Sequence, residues 1–244
     1  MGSLGSLRAA DLKRWVPENV KIMKNTIKAV IFDMDGLMID TQRLAIHAWK
    51  RAAKEFGFTL TDELSQQLIG RTVQDSNEIL LTELGYDFPV KDCRNLAMEI
   101  QSEVISQRGI SVKPGLWQLL DYLEEKSIHI AVATSTPREV TIPRLQLTNL
   151  INHFRIIVTG DEVPNGKPSP DIFLIASELL KIPPTSCVVL EDSFSGIRAA
   201  YTAKMIPIMV PDLLEATDEI KSLAHAVVPS LHEAKREIEK LLTR

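Results

Sequence analysis

Residues 29–36 read Ala29-Val30-Ile31-Phe32-Asp33-Met34-Asp35-Gly36. Apolar runs rich in Val, Ile and Phe are typical of buried strands in parallel sheets. Ligands bind beyond the carboxyl ends of such strands, and residues i and i+2 of an extended chain point to the same side. We therefore expect Asp33 and Asp35 to act together at the mouth of a site, where Gly36 lets the backbone turn. The alternative at this point is a strand that ends in a solvated acidic turn.

The composition excludes several classes of function. The chain has 45% apolar and 25% charged residues and a formal net charge of −4. An acidic balance without a basic block argues against nucleic acid as a partner, and no apolar run approaches the roughly 18 residues of a membrane span. Cys93 and Cys187 fit neither a disulfide framework nor a set of metal ligands. We expect a cytoplasmic monomer.

The chain divides into three parts with different patterns. Residues 1–22 lack the apolar core of a secretory signal, and we interpret them as a tag or N-terminal extension. Residues 23–39 and 113–244 alternate strand-like and helical segments, which predicts an α/β core with a doubly wound parallel sheet. Residues 40–112 show only helical periodicity. They predict an all-helical domain inserted where a lid would lie.

Polar residues follow the predicted strands where each strand ends. In chain order they are Asp33 and Asp35, Thr134 and Ser135, Gly166-Lys167-Pro168, and Glu191 and Asp192. Each has an ordinary alternative, such as a capping hydroxyl, a surface lysine or an acidic helix start. Thr136 is itself predicted as the N-cap of the next helix. Their occurrence after successive strands of one sheet nevertheless predicts that four carboxylates and one lysine converge on a single crevice.

This set of side chains indicates a chemistry. Clustered carboxylates without histidine or cysteine favour a hard cation, and Mg²⁺ is the default. A hydroxyl, amides at helix starts and Lys167 form an anion cradle suited to phosphate. Asp33 would then be the nucleophile that forms an aspartyl-phosphate. Asp35 would protonate the leaving oxygen and afterwards deprotonate the attacking water.

Four motifs resemble those of the haloacid dehalogenase superfamily in its phosphatase branch, and they are most similar to the beta-phosphoglucomutase-like group. They are Phe32-Asp33-Met34-Asp35-Gly36, Ala133-Thr134-Ser135, Gly166-Lys167-Pro168-Ser169-Pro170-Asp171, and Glu191-Asp192-Ser193. The resemblance extends from about Ile27 to Val228. It implies a Rossmann-like core and a small helical cap that corresponds to the predicted insert.

The resemblance also implies roles for individual residues. It assigns Mg²⁺ to the Asp33 carboxylate, the Asp35 backbone carbonyl, Asp192 and Glu191, the last directly or through one water. It assigns the transferred phosphoryl group to Thr134 and Lys167, and Ser135 is a further member of the predicted cradle. The Asp35 carboxylate distinguishes the chain from the dehalogenases, which lack an acid at that position.

The predicted function is a Mg²⁺-dependent phosphatase for a small phosphorylated metabolite, such as a sugar or polyol phosphate. Gln42, Arg43 and Arg71 are the cap residues that we expect to face the substrate, and Arg71 is favoured. Two alternatives are a phosphosugar mutase with the same aspartyl-phosphate and a non-enzymatic binding protein on this fold.

Three cap positions argue against the mutase. The similar mutases carry a lysine, an arginine and a histidine where this chain has Ile69, Val73 and Ala45. A mutase needs such cations to grip the second, non-reacting phosphate of its substrate. We therefore expect water to accept the phosphoryl group.

Overall fold

The computed structural model describes residues 27–243, so the predicted extension at residues 1–22 lies outside the described residues. Six parallel strands form one sheet in the order β3-β2-β1-β4-β5-β6. They are β1 (Ala29–Phe32), β2 (His129–Thr134), β3 (Ile157–Thr159), β4 (Cys187–Glu191), β5 (Ile206–Met209) and β6 (Ala226–Val227). β1 pairs with β2 on one side and β4 on the other. The strand order reverses beside β1, which is where open α/β sheets form their ligand crevice.

Four helices follow β1 in the sequence, before the chain returns to the sheet. They are α1 (Gln42–Glu55), α2 (Asp62–Gln67), α3 (Val73–Leu84) and α4 (Val90–Arg108). These helices enclose an apolar core of their own, with Ala48, Leu64, Leu80 and Cys93 among its buried members. All four helices lie within the range predicted for the cap, and we call them the cap below. The boundaries at residues 39/40 and 112/113 stay a prediction.

The remaining helices cover the two faces of the sheet. They are α5 (Leu116–Glu125), α6 (Arg138–Leu147), α7 (Asp171–Leu180), α8 (Phe194–Thr202), α9 (Asp218–Leu223) and α10 (Leu231–Leu242). Val30 and Phe32 point to one face and pack with α5 and α10. Ala29 and Ile31 point to the other face and pack with α7 and α8. This alternation buries both faces and confirms the predicted doubly wound α/β fold with an all-helical insert.

Two details of the helices differ from the sequence predictions. The six-residue helix α9 was not predicted, although Thr217 caps it by accepting a hydrogen bond from the amide of Ile220 at 3.3 Å. Thr136 is not an N-cap, because Pro137 occupies that position of α6. The Thr136 hydroxyl is instead directed to Asp35, as described below.

The two chain segments that connect cap and core run side by side. Ile39 and Val112 form an antiparallel bridge. The amide of Asp40 donates to the Ser111 carbonyl, and the amide of Lys113 donates to the Met38 carbonyl, each at 2.9 Å. Both crossings are therefore short, paired segments, which are suited to act as a hinge. In residues 27–243 no helix combines the length and apolar character needed to span a membrane.

Candidate active site

The carboxyl ends of β1, β2 and β4 bring most of the predicted site residues together. Asp33 directly follows β1, and its amide donates to the Leu190 carbonyl of β4 at 3.0 Å. Thr134 is the last residue of β2, and Glu191 is the last residue of β4. Because these strands are adjacent and parallel, their ends meet at one edge of the sheet. Asp33, Thr134, Ser135 and Asp192 line one cavity there, of about 920 Å³, which lies between core and cap.

Lys167 is the cationic centre of this cluster, and only 1% of its surface is exposed. Its ammonium donates to Asp33 Oδ1 at 2.5 Å, to Glu191 Oε1 at 2.6 Å and to the Ala133 carbonyl at 3.1 Å. Three acceptors match the three hydrogens of an ammonium group. The lysine is therefore held in one position beside the predicted nucleophile.

Glu191 is fully buried, and hydrogen bonds occupy both of its oxygens. Oε1 accepts from Lys167, while Oε2 accepts from the amide and the hydroxyl of Ser193, both at 2.8 Å. A Cβ atom at position 196 would lie 1.8 Å from Oε1, so Gly196 leaves the space that the carboxylate fills. The first turn of α8 thus fixes the orientation of Glu191.

The donor set fits a hard divalent cation. Asp33, Glu191 and Asp192 can each offer one oxygen so that all three lie within 4.8 Å of one another. Asp192 is buried, and its Oδ1 has no hydrogen-bond partner among the described residues. A buried carboxylate oxygen without a partner is costly unless a cation or water satisfies it. Carboxylate oxygens are the ligands that Mg²⁺ prefers, so these residues could hold a metal ion.

The side chain of Gln42 contacts two oxygens beside this carboxylate cluster. Its side-chain nitrogen donates to the Asp35 carbonyl at 3.0 Å and to Asp192 Oδ2 at 2.7 Å. The family resemblance assigns the Asp35 carbonyl and the Asp192 carboxylate to the metal. Gly36, at φ +87°, gives Asp192 the room to approach, because a Cβ atom there would lie 2.4 Å from Asp192 Oδ2. The predicted cap residue Gln42 therefore lies in the site.

The electrostatics of the cluster are dominated by burial. Burial raises the pKa of Asp33 to about 8, the charges of Glu191 and Asp35 add to this, and Lys167 opposes it. Burial also raises the pKa of Asp192 well above its usual range, together with the charges of Glu191 and Asp33. Burial would lower the pKa of Lys167, but the charges of Asp33 and Glu191 outweigh it, so that pKa is raised. One ammonium thus faces three buried carboxylates, and an added cation would favour their ionised forms.

Asp35 accepts hydrogen bonds at both carboxylate oxygens. Thr41 and Arg144 donate to Oδ1, the latter at 2.7 Å, and Thr136 donates to Oδ2 at 2.7 Å. Neither Thr136 nor Arg144 was predicted as a site residue. Thr136 directly follows the predicted Thr134-Ser135 pair, which is a signal that could have identified it. The sequence carries no comparable signal for Arg144, which follows Pro143 inside α6.

The structure places the other three predicted site residues, which are Ser135, Arg71 and Arg43, in different surroundings. Ser135 donates to the Gly70 carbonyl of the cap at 3.2 Å. Arg71 lines the cavity, and its side chain has no hydrogen bond or ion pair with the described residues. Arg43 is not brought to the cavity, because its side chain is 55% exposed and pairs with Asp212 at 2.7 Å. Gln42 and Arg71 are thus the predicted cap residues that reach the cavity.

The remaining wall of the cavity is mostly apolar. Ile46 and Trp49 of α1, Met98 and Ile105 of α4, and Leu147 of α6 all contribute to it. Asp33, Asp35 and Asp192 line the same cavity, and this apolar wall leaves space for the rest of a substrate.

A sequence model of the family described as haloacid dehalogenase-like hydrolase matches residues 30–210. The chain belongs to this family. A phosphorylated carbohydrates phosphatase of Thermotoga maritima is 36% identical over 177 residues, which are 72% of this chain and 82% of that protein. A beta-phosphoglucomutase of Bacillus subtilis is 29% identical over 216 residues, which are 85% of this chain and 95% of that protein.

The fold agrees with this assignment. The crystal structure of CbbY from Rhodobacter sphaeroides in complex with phosphate superposes with a TM-score of 0.74 at 27% identity, and the match covers 85% of this chain and 96% of that one. The family and these relatives confirm the predicted resemblance to the beta-phosphoglucomutase-like group of the haloacid dehalogenase superfamily. They also confirm the predicted enzyme class, a hydrolase of the phosphatase type.

Proposed function

We propose that the protein is a Mg²⁺-dependent phosphatase that hydrolyses a small phosphorylated metabolite through an aspartyl-phosphate. The observation that carries the proposal is the environment of Asp33. Its carboxylate lines a cavity of about 920 Å³, 2.5 Å from a buried lysine and next to Asp192. Such a site combines a nucleophile with groups that stabilise the charge of a phosphoryl group.

In the first step Asp33 attacks phosphorus and the bond to the leaving oxygen breaks. Asp35 donates a proton to that oxygen, so the product leaves as a neutral alcohol. Lys167 and Thr134 bind the phosphoryl oxygens, and the backbone amide of Ser135 completes the cradle. The other two lysine contacts, to Glu191 and the Ala133 carbonyl, keep the ammonium in place while the hydrogen that points to Asp33 turns to a phosphoryl oxygen.

In the second step Asp35 accepts a proton from water while that water attacks the aspartyl-phosphate. Inorganic phosphate leaves and the Asp33 carboxylate is restored. Asp35 thus ends each cycle in the protonation state in which it began. This exchange of roles explains why the mechanism requires two acids within three residues.

Asp33, Asp192 and the Asp35 carbonyl would hold Mg²⁺, which when bound offsets negative charge on the carboxylates and the phosphoryl group. Both Glu191 oxygens already accept hydrogen bonds from Lys167 and Ser193, which supports a place for Glu191 one water away from the metal. Gln42 would orient Asp192 from the cap.

A sugar or polyol phosphate is the substrate class that we favour. The Thermotoga maritima relative is named as a phosphatase of phosphorylated carbohydrates. Arg71 is a cation without a partner in the described chain, so it is available to an anionic or hydroxylated substrate. Ala45, Ile69 and Val73 line the cavity where a mutase needs cations, which favours water as the acceptor.

The test is a colorimetric assay of phosphate release with a panel of phosphorylated metabolites, with Mg²⁺ and with a chelator. We expect release from at least one sugar or polyol phosphate with Mg²⁺ and loss of release with the chelator. The Asp33→Asn variant is the control for a contaminating phosphatase. Tight binding of panel members without any phosphate release would support a binding protein instead.

A further inference from the structure

Arg144 connects the predicted general acid to the cap. It lies in α6 of the core, and 11% of its side chain is exposed. One terminal nitrogen donates to Asp35 Oδ1 at 2.7 Å, and the other donates to Gln101 Oε1 of cap helix α4 at 2.7 Å. Among residues 27–243, Arg144 is the cation that pairs with Asp35. One planar guanidinium therefore contacts a residue of each domain.

Three separate segments hold the Asp35 carboxylate. Thr41 lies at the crossing into the cap, Thr136 follows β2, and Arg144 belongs to α6. A carboxylate that accepts from donors in three directions has little freedom to rotate. Thr41 is the N-cap of cap helix α1, and Arg144 is the donor from the core whose side chain also contacts the cap.

We propose that Arg144 is a positioning residue, which orients Asp35 for proton transfer and makes that orientation depend on a closed cap. The proposal rests on the proposed phosphatase function. When α4 lies against the core, Gln101 Oε1 accepts a hydrogen bond from the terminal nitrogen of Arg144 that does not contact Asp35, and this contact fixes the guanidinium. The rigid fork of the guanidinium then transmits this position to Asp35, which a single-point ammonium cannot do.

Two other roles for Arg144 make different predictions. An arginine that bound the substrate would affect every substrate through KM, whereas both terminal nitrogens of Arg144 already donate to protein groups. An arginine with a purely structural role would lower stability and slow all substrates alike. Loss of a residue that positions the general acid slows formation of the aspartyl-phosphate, and this effect is larger for a substrate whose leaving oxygen needs a proton.

Aryl phosphates separate these roles, because the acidity of the leaving phenol sets the need for a general acid. The probes are 4-nitrophenyl phosphate, whose phenolate leaves without protonation, and phenyl phosphate, whose phenolate leaves poorly. For Arg144→Met we expect kcat/KM for phenyl phosphate, which reports formation of the aspartyl-phosphate and not its hydrolysis, to fall by about 10²-fold, the scale of a 1 Å misplacement of a reacting group. We expect kcat/KM for 4-nitrophenyl phosphate to change little, because its phenolate leaves without a proton from Asp35.

Three further variants sharpen the test. Gln101→Leu keeps Arg144 but removes its cap contact, so it should show the same preference for 4-nitrophenyl phosphate at a smaller amplitude. Arg144→Lys keeps the charge but not the planar fork of the guanidinium. Its ratio of the two kcat/KM values should therefore lie between those of Arg144→Met and wild type. Arg198→Met removes an ion-paired arginine of α8 that contacts Glu219 and should leave the ratio of the two rates unchanged. In an Asp35→Asn background, Arg144→Met should add no further loss for phenyl phosphate.

Equal losses for both esters in Arg144→Met and Gln101→Leu would overturn the positioning role and leave the phosphatase function intact. A wild-type protein that releases phosphate from neither ester, nor from the metabolite panel, would contradict the phosphatase function and this proposal with it. If Arg144→Met does not fold, as judged by thermal unfolding, the ratios in Gln101→Leu and Arg144→Lys decide the question.

Discussion

The hydroxyl of Ser195 in core helix α8 donates a hydrogen bond of 3.1 Å to the carbonyl oxygen of Gly70 in the cap. Ser135 donates to the same oxygen at 3.2 Å. The loop between α2 and α3 is thus attached to the core at the two segments that surround the candidate active site. This structure therefore represents a cap that is closed over the core.

These contacts predict where closure can be measured. Mg²⁺ with a phosphate analogue should protect amides at residues 38–41, 70–74 and 111–114 from hydrogen exchange, because a ligand that favours the closed cap reduces opening of the hinge. Ser195→Ala should reduce protection at 70–74, whereas Ser222→Ala, whose hydroxyl contacts only its own helix in the described chain, should not. Protection confined to the loops of the core would show that the cap does not close on ligand.

The contact between Lys167 and Asp33 leads to a prediction about the nucleophile. Asp33→Asn should fold but lose turnover by several orders of magnitude, because a neutral amide does not attack phosphorus and removal of a nucleophile has effects of this size. Phosphate release and thermal unfolding measure the two properties. Asp218→Asn, an exposed carboxylate in α9, is the matched control. Substantial turnover in Asp33→Asn would exclude an aspartyl-phosphate at this residue.

The two acids Asp35 and Asp192 should separate catalysis from metal binding. Mg²⁺ should raise the Tm of the wild type, because a ligand that binds only the folded state stabilises it by mass action. Asp192→Ala should abolish this shift. Asp35→Asn should keep most of the shift, since only its backbone carbonyl is assigned to the metal, while turnover falls by about 10²–10⁴-fold. A Tm shift lost equally in both variants would identify the Asp35 side chain as a ligand.

Whether water or a sugar phosphate accepts the phosphoryl group can be tested with β-glucose 1-phosphate and a trace of β-glucose 1,6-bisphosphate. We expect one phosphate released per substrate consumed, because Ala45, Ile69 and Val73 offer no cation for a second phosphate. Free phosphate and glucose 6-phosphate are followed in the same reaction. Rapid formation of glucose 6-phosphate with little free phosphate would establish a mutase.

The cluster at the strand ends was predictable because its geometry follows from local patterns. Each of the groups at Asp33, Thr134 and Glu191 comes directly at or after an apolar strand, and adjacent parallel strands end at a common edge. Lys167 follows the third strand only after a loop, and its place in the cluster was predicted from that order along the chain. The structure adds its contacts with both Asp33 and Glu191.

The cap side of the cavity and the partners of Asp35 were less predictable. Gln42 and Arg43 are consecutive in α1, where successive side chains point about 100° apart, and only Gln42 reaches the cavity. Thr136 and Arg144 reach Asp35 from positions more than a hundred residues away in sequence. The contact of Arg144 leaves no periodic or local signal, because it depends on how α6 packs against the core.

Because β1 pairs with β2 on one side and β4 on the other, the candidate active site can form during synthesis only once both strands have been made. Asp33, the predicted nucleophile, directly follows β1, whereas β4, which pairs with β1 and carries Glu191, is made only after the cap, β2 and β3. The cap is made in between and has a core of its own, so it can fold while β1 still waits for its partners. Asp33 therefore acquires its contact with Lys167 and its neighbour Glu191 only after the segments up to β4 have been translated.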